Sequence, residues 1–255
     1  MSEDNSDDDS FAPEHDIDVP ISLHIEELFL RLLIVFAIGS AIALVLLPIS
    51  EDVIQYLWQS HIPSPNENQP VIYSPVSLFM TRIQVIFLFA LVIGFPALIY
   101  QAYEFMEPGL YEVEKKYFKI STLSSFGLSS IGILIGQFVV LPIMFFYFSS
   151  YTQGVAEIAF GLQQTVGLML IIIIYIVIIF QMPILIVLAV LLGVVSRDWI
   201  RNRRLLFWFF FFGIAFLSSP DPTGMAPLII GLIMLILFEL SLFGVKYLPE
   251  SERTE

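Results

Sequence analysis

The chain has 255 residues, of which 57% are hydrophobic and 14% are charged, whereas an ordinary soluble domain has about 45–50% and about 25%. Its formal net charge is −13, and it contains no cysteine, which excludes disulfides, iron–sulfur clusters and thiol chemistry. Several apolar runs reach the length of about 20 residues that crosses the hydrocarbon core of a bilayer. The composition therefore predicts an all-α, polytopic membrane protein.

The first 20 residues form an acidic segment without an apolar run. Such a segment cannot bury enough apolar surface to offset the entropy of ordering, so residues 1–20 are predicted to be a disordered cytoplasmic tail. The segment also lacks the basic and apolar regions of a secretory signal peptide. The expected organisation is this tail, a membrane domain over residues 21–246 and a short cytoplasmic tail over residues 247–255.

Six transmembrane helices are predicted from the apolar runs. In chain order they cover residues 28–47, 76–100, 121–148, 166–192, 205–218 and 225–243. Gly94 and Pro96 predict a kink in the second helix, because a proline ring removes a helical hydrogen bond. The last two helices are short, the fifth having only about 14 residues, or about 21 Å at 1.5 Å per residue. We expect them to cross a locally thinned bilayer as a pair.

The basic residues predict the orientation of these helices. An even number of spans places both termini on one side, and 10 of the 11 Lys and Arg residues fall on that side, with Arg82 on the other. Because cytoplasmic segments of membrane proteins are enriched in Lys and Arg, we expect both termini and the polar segment 101–119 to lie in the cytoplasm. That segment is interpreted as an exposed loop. The outer side then carries loops over residues 49–75 and 149–164, the first with an amphipathic turn at residues 53–58, and a tight turn at residues 219–224.

Motifs of the common enzyme classes do not occur in the sequence. We find no metal-binding helix of the His-Glu-x-x-His type, no nucleophile elbow and no phosphate-cradling glycine loop. The sequence therefore predicts neither an enzyme nor a cofactor, a metal or a nucleic-acid partner.

Three polar side chains, Gln137, Gln181 and Glu239, fall within predicted spans, where a polar group is costly to bury. Each is interpreted either as a hydrogen bond between helices or as a functional group. Gln181 precedes Pro183, whose ring leaves a backbone carbonyl unpaired, so this side chain either bonds to a neighbouring helix or faces a groove. Glu239 lies near the cytoplasmic end of the last span and is either neutral, snorkelling or functional.

Carboxylates cluster at the predicted cytoplasmic surface, before the first span and within the segment 101–119. The members are Glu26, Glu27, Glu104, Glu107, Glu112 and Glu114. If the segment folds over the start of the first helix, paired carboxylates would suit bidentate recognition of a guanidinium group. Composition alone favours the simpler interpretation, which is solvated charge beside Lys115 and Lys116.

Five short segments, in chain order, carry a family resemblance. They are His24-Ile-Glu-Glu-Leu with Arg31; Tyr100-Gln-Ala-Tyr-Glu-Phe-Met-Glu-Pro-Gly-Leu-Tyr-x-x-Glu-Lys-Lys; Phe180-Gln-Met-Pro; Ser219-Pro-Asp; and Leu237-Phe-Glu. Together they resemble the TatC family, the multispanning core of the twin-arginine protein translocase, over residues 23–243. Two positions depart from the family pattern: Phe29 stands where an arginine is usual, and Ala102 stands where a tryptophan is usual.

The resemblance implies a receptor for the paired arginines of signal peptides on folded proteins. Carried over by position, Glu27 and Glu114 correspond to the carboxylates that engage the arginine pair. The residues that the resemblance places around them are Phe105, Pro108, Tyr111, Gln101 and Glu26. It also implies a groove for signal peptide and partner helices, to which we assign Gln181, Pro183 and Glu239, and an acidic outer turn at Asp221.

The partners that the resemblance implies are single-span subunits of the TatA/TatB type, twin-arginine signal peptides, the lipid bilayer and further copies of the chain. Transport would draw on the proton-motive force, in the cytoplasmic membrane. The alternative is a secondary transporter of a small solute, coupled to protons through Glu239, and a scaffold without translocation is a third possibility. A transporter would place its charges near the bilayer centre on broken helices, whereas this chain has its carboxylates at the surface.

Overall fold

The computed structural model describes residues 21–62, 70–152, 160–218 and 224–246. Within these ranges the regular secondary structure consists of helices, without a β-strand. A single bridge of two residues, Val71 and Gly161, joins two loops in parallel. The acidic tail, Asp221 and the C-terminal tail lie outside the described residues. The α-helices are α1 (Ile21–Leu46), α2 (Ser50–His61), α3 (Ser77–Met106), α4 (Glu112–Ile135), α5 (Leu141–Thr152), α6 (Leu162–Ile179), α7 (Met182–Leu191), α8 (Arg197–Asn202), α9 (Arg204–Ser218) and α10 (Met225–Val245).

Five helical segments of the described chain are long and apolar enough to cross a membrane. They are Ser22–Leu46, Ser77–Gly109, Glu114–Phe148, Leu162–Leu191 and Met225–Val245. The remaining apolar helix, Arg204–Leu217, is shorter, as its sequence indicated. The predictions of an all-α fold and of a multispanning membrane protein are confirmed.

The prediction that residues 101–119 form an exposed loop is wrong. Helix α3 continues to Met106 and α4 begins at Glu112, so that only a 3₁₀ turn over Glu107–Gly109 and two further residues separate them. Pro108 has no N–H with which to continue the helical ladder, and this ends α3. The polarity of the segment marks where the apolar span stops, whereas the helix itself extends beyond that point.

A π-turn at Gly136–Val140 interrupts the third span between α4 and α5. Within this turn Leu141 donates its N–H to the carbonyl of Gly136, and Pro142 has no N–H to donate. The carbonyl of Gln137 is therefore released from the helical ladder, and Nε2 of His61 lies 3.0 Å from it. This contact ties α2, a full helix where the sequence predicted only an amphipathic turn at residues 53–58, to the break in the third span.

Helix α6 lies at the centre of the fold, packed against α3 and α4. Its fully buried side chains include Val166, Met169, Leu170, Ile172, Ile176 and Val177. Gly132 allows α4 to approach closely, because a Cβ at that position would lie 3.2 Å from the Cα of Val177. Helix α1, in contrast, packs along α3 and leaves most of its apolar side chains exposed. The start of α1 is thereby held beside the end of α3.

Candidate functional site

Arg31 on α1 links the carboxylate of Glu27 to the end of α3. The two residues are four positions apart and therefore share one face of the helix. Nε and Nη2 of Arg31 donate to Oε1 of Glu27 at 2.9 and 2.6 Å. Nη1 of Arg31 donates to Oε1 of Gln101 at 3.4 Å and lies 3.7 Å from Oε2 of Glu104. One guanidinium group is thus held between two helices by two carboxylates and an amide.

This guanidinium site is only partly buried in the fold. The exposed fractions of the side chains are 21% for Arg31, 43% for Glu27 and 31% for Glu104. Ion pairs that are partly exposed in this way make a small net contribution to stability. A site of this kind can exchange its occupant, unlike an ion pair in a dry core.

Aromatic packing fixes the end of α3 that forms one wall of the site. The hydroxyl of Tyr103, which is buried, donates to Oε1 of Glu107 at 2.6 Å, and its ring packs on Phe118 of α4 with centroids 6.1 Å apart. Phe105 makes an edge contact with the ring of His24, with centroids 5.8 Å apart. Since His24 is in the first turns of α1, this contact joins α1 and α3 a second time.

Glu114 lies in the turn that starts α4. Its side chain is 5% exposed, and Oε2 accepts the main-chain N–H of Tyr111 at 3.1 Å. A carboxylate that reaches back to the N-cap amide in this way stabilises the first turn of a helix. Pro108 and Glu26 are exposed. The structure therefore brings Glu27 and Gln101 together through Arg31, places Phe105 against α1, and pairs Glu114 with Tyr111.

The sequence placed Glu104 only in the general cluster of surface carboxylates, and it assigned no role in the site to the side chain of Arg31. The spacing of Glu27 and Arg31 could have predicted their ion pair, because residues four apart on a helix are neighbours. No sequence signal identifies the contact between Arg31 and Gln101, which are 70 residues apart.

Gln181 is 1% exposed and lies between α6 and α7, facing α4. Ser125 donates to its Oε1 at 2.6 Å, and its Nε2 donates to Oγ of Ser129 at 2.7 Å and to the carbonyl of Ser125 at 3.4 Å. Of the two interpretations of Gln181, the structure shows the hydrogen bonds between helices. A role of Gln181 and Pro183 in binding a partner helix stays a prediction.

Glu239 is paired within the fold. Its Oε2 lies 2.9 Å from Nη2 of Arg204, and Trp208 donates its indole N–H to Oε1 at 3.0 Å. The rings of Phe207 and Phe238 stack beside this pair, with centroids 5.1 Å apart. These contacts join the short helix α9 to α10.

Comparison with known proteins places this geometry in a family. The family model for Sec-independent protein translocase protein (TatC) matches residues 23–232. The protein TatCo of Haloferax volcanii is 43% identical over 92% of this chain, which spans 59% of that protein's length. TatC of Methanocella arvoryzae is 32% identical, over 94% of this chain and 99% of its own.

Solved structures agree with these sequence matches. A crystal structure of the twin arginine translocase receptor TatC superposes with a TM-score of 0.73 and 25% identity, over 88% of this chain and 98% of that one. A second crystal structure of the receptor, in DDM, superposes with a TM-score of 0.75 at 25% identity. The resemblance predicted from five segments is confirmed, and the family is one of translocase components, not of enzymes. The chain belongs to the TatC family of Sec-independent protein translocase proteins.

Proposed function

We propose that this chain is the twin-arginine signal-peptide receptor and the core subunit of a translocase that exports folded proteins. Membership of the TatC family supports the translocase role, and the two superposed structures are of a twin arginine translocase receptor. The observation on this chain that carries the receptor role is the guanidinium held between Glu27, Gln101 and Glu104.

These acceptors suit an arginine better than a lysine. A guanidinium group presents five N–H donors in a planar fork, and carboxylates accept two of them side by side. The ammonium group of lysine is a compact point charge that cannot engage acceptors on opposite edges at once. Glu27 on α1 and the pair Gln101 and Glu104 on α3 contact different edges of one guanidinium, and such an arrangement discriminates by shape.

Around this centre the proposed binding residues are Glu27, Glu114, Phe105, Pro108, Tyr111, Gln101 and Glu26. Glu26 is exposed on the same turn of α1 as Glu27 and is available to a second arginine. Engagement of Glu114 requires its carboxylate to leave the amide of Tyr111, because the side chain is buried there. We therefore assign first contact to Glu27 and a later, closing contact to Glu114.

The proposed membrane arrangement has six spans, with α9 as the short fifth, and both termini in the cytoplasm. It is supported by the distribution of Lys and Arg and by the five long apolar segments together with Arg204–Leu217. The site at the start of α1 and the end of α3 then faces the cytoplasm, where signal peptides are presented. We propose the cytoplasmic membrane as the location and the proton-motive force as the energy source.

The proposed partners are single-span subunits of the TatA/TatB type, twin-arginine signal peptides, bilayer lipid and further copies of the chain. The exposed apolar length of α1, which packs on α3 along one side, offers surface to helices or lipid. Gln181, Pro183 and Glu239 are kept as proposed contacts of the partner groove, and Asp221 as the acidic residue of the outer turn.

The alternative of a proton-coupled solute transporter finds no support. The family consists of protein translocases, and Glu239 is engaged by Arg204 and Trp208.

The test is binding of a synthetic twin-arginine signal peptide to the full chain in nanodiscs, with a two-lysine peptide for comparison. We expect selective binding of the arginine peptide and a loss of roughly tenfold or more in Glu27→Gln, since a hydrogen bond to a charged group contributes about 1.5–3 kcal/mol. Glu51→Gln, which removes the exposed partner of Arg82 at the other end of α3, is the matched control and should bind normally. Equal binding of both peptides, or an undiminished Glu27→Gln, would contradict the receptor role.

A further inference from the structure

We infer that Arg31 is an internal ligand of the signal-peptide site, which an incoming arginine must displace. The inference rests on the proposed function and deepens it, because it assigns the regulation of affinity to a residue of the chain itself. Its basis is that the acceptors proposed for the peptide are engaged by a guanidinium group of the chain itself.

The contacts of Arg31 reproduce those expected of a bound arginine. Nε and Nη2, on one edge of the group, both donate to Oε1 of Glu27. Nη1, on the other side, reaches Gln101 and Glu104. Each nitrogen therefore faces an acceptor, and a second guanidinium group cannot take the same positions while Arg31 remains.

Two features of the geometry make Arg31 exchangeable. Its contacts with α3 are long, at 3.4 Å to Gln101 and 3.7 Å to Glu104, and are therefore weak compared with its bonds to Glu27. The group is also only partly buried, and ion pairs of that kind contribute little to stability. An arginine from a peptide can take the α3 acceptors first, after which the long flexible stem of Arg31 carries its head group into solvent.

Internal occupancy has a defined effect on binding. The apparent dissociation constant equals the intrinsic one divided by the fraction of receptor that is free of the internal ligand. This factor is the same for every peptide that needs the site. Removal of Arg31 should therefore tighten binding of the arginine and lysine peptides alike and leave the ratio of their affinities unchanged.

Two substitutions separate internal competition from simple charge. Arg31→Met removes both the charge and the fork of donors while retaining an unbranched apolar stem. Arg31→Lys keeps the charge but loses the planar fork, so it competes less well without making the surface more negative. Arg82→Gln is the matched control, because Arg82 pairs with Glu51 between α2 and α3, away from the site.

The experiment measures fluorescence anisotropy of the labelled arginine and lysine peptides with the full chain in nanodiscs. We expect the arginine peptide to bind about tenfold tighter to Arg31→Met and about threefold tighter to Arg31→Lys, with Arg82→Gln unchanged and the arginine-to-lysine ratio preserved. A single symmetric peak in gel filtration checks that each variant is folded. If Arg31→Met does not fold, Arg31→Lys still tests the inference, because it keeps a positive charge beside Glu27.

The outcomes distinguish this inference from the receptor proposal. Weaker binding of the arginine peptide to Arg31→Lys, or a loss of the arginine-to-lysine ratio, would show that Arg31 holds Glu27 in place. Unchanged binding would show that Arg31 does not compete with the peptide. Each of these results would overturn the inference and leave the receptor proposal standing. If the wild-type chain does not prefer the arginine peptide, or if Glu27→Gln does not weaken binding of that peptide, the receptor proposal is contradicted and this inference with it.

Discussion

With its ring proton on Nε2, His61 closes the break in the third span by donating to the carbonyl of Gln137, 76 residues further along the chain. The distance from Nε2 to the carbonyl oxygen is 3.0 Å, and Nδ1 lies 3.1 Å from the carbonyl of Leu57. The ring therefore satisfies an acceptor that the π-turn and Pro142 leave without a helical donor. The contact thereby joins helix α2 to the π-turn of the third span.

The first prediction concerns the contact between His61 and the carbonyl of Gln137. We expect His61→Ala to lower the free energy of unfolding by about 1–3 kcal/mol, because it leaves a part-buried carbonyl without a partner. Thermal unfolding in detergent, followed by tryptophan fluorescence, measures the change. Ser60→Ala is the control, since the Ser60 hydroxyl is exposed and, among the described residues, bonds only to the carbonyl of Tyr56 in its own turn. Equal stability of the two variants would show that the contact of His61 with the Gln137 carbonyl does not stabilise the fold.

The second prediction concerns the close contact of α4 with α6. A Cβ at Gly132 would lie 3.2 Å from the Cα of Val177, whereas one at Gly127 on the same helix meets no described residue within 4 Å. We expect Gly132→Ala to destabilise the fold by about 1–3 kcal/mol through overpacking. Gly127→Ala should be neutral or stabilising by up to about 1 kcal/mol, because alanine restricts the unfolded chain more than glycine does. Denaturation midpoints in the opposite order would contradict the packing described here.

The third prediction separates the roles of Glu239. In a proton-coupled transporter Glu239→Gln would abolish activity, whereas here the carboxylate joins α9 to α10 through Arg204 and Trp208. We expect Glu239→Gln to bind the arginine peptide within about twofold of wild type, with a small stability loss of up to about 1 kcal/mol, since the pair is partly exposed. The exchange of both charges, Arg204→Glu with Glu239→Arg, should recover part of this loss. Loss of peptide binding in Glu239→Gln would show that Glu239 takes part in binding the peptide and is not only a structural contact.

The sequence was sufficient for the class of the fold, because apolar runs of membrane length identify helices without any tertiary information. It failed at residues 101–119, where polarity was taken as the end of a helix although α3 runs on to Met106. Polar composition reports the surroundings of a segment, and helices of membrane proteins often continue past the lipid. The two predicted carboxylates also differ in the structure: Glu27 is partly buried and pairs with Arg31, whereas Glu114 is buried and accepts the main-chain N–H of Tyr111.

The remaining features depend on contacts between distant parts of the chain. Arg31 meets Gln101 across 70 residues, and His61 meets Gln137 only because a π-turn displaces one carbonyl. A hydropathy pattern records neither event, since it averages over a helix and carries no information on which turn is distorted. The family resemblance identified the region of the site, but the occupancy of that site by Arg31 is visible only in the structure.

The most direct test of the receptor proposal is site-specific photocrosslinking from α3 in native membranes. A photoreactive phenylalanine analogue is placed at Phe105, beside His24 and the guanidinium site, and in a second variant at Phe79, which is exposed near the other end of the same helix. We expect a twin-arginine signal peptide to crosslink at Phe105 but not at Phe79, and to lose the crosslink with a two-lysine peptide or in Glu27→Gln. Equal crosslinking at both ends of α3, or at Phe105 with either peptide, would contradict recognition of the arginine pair at this site.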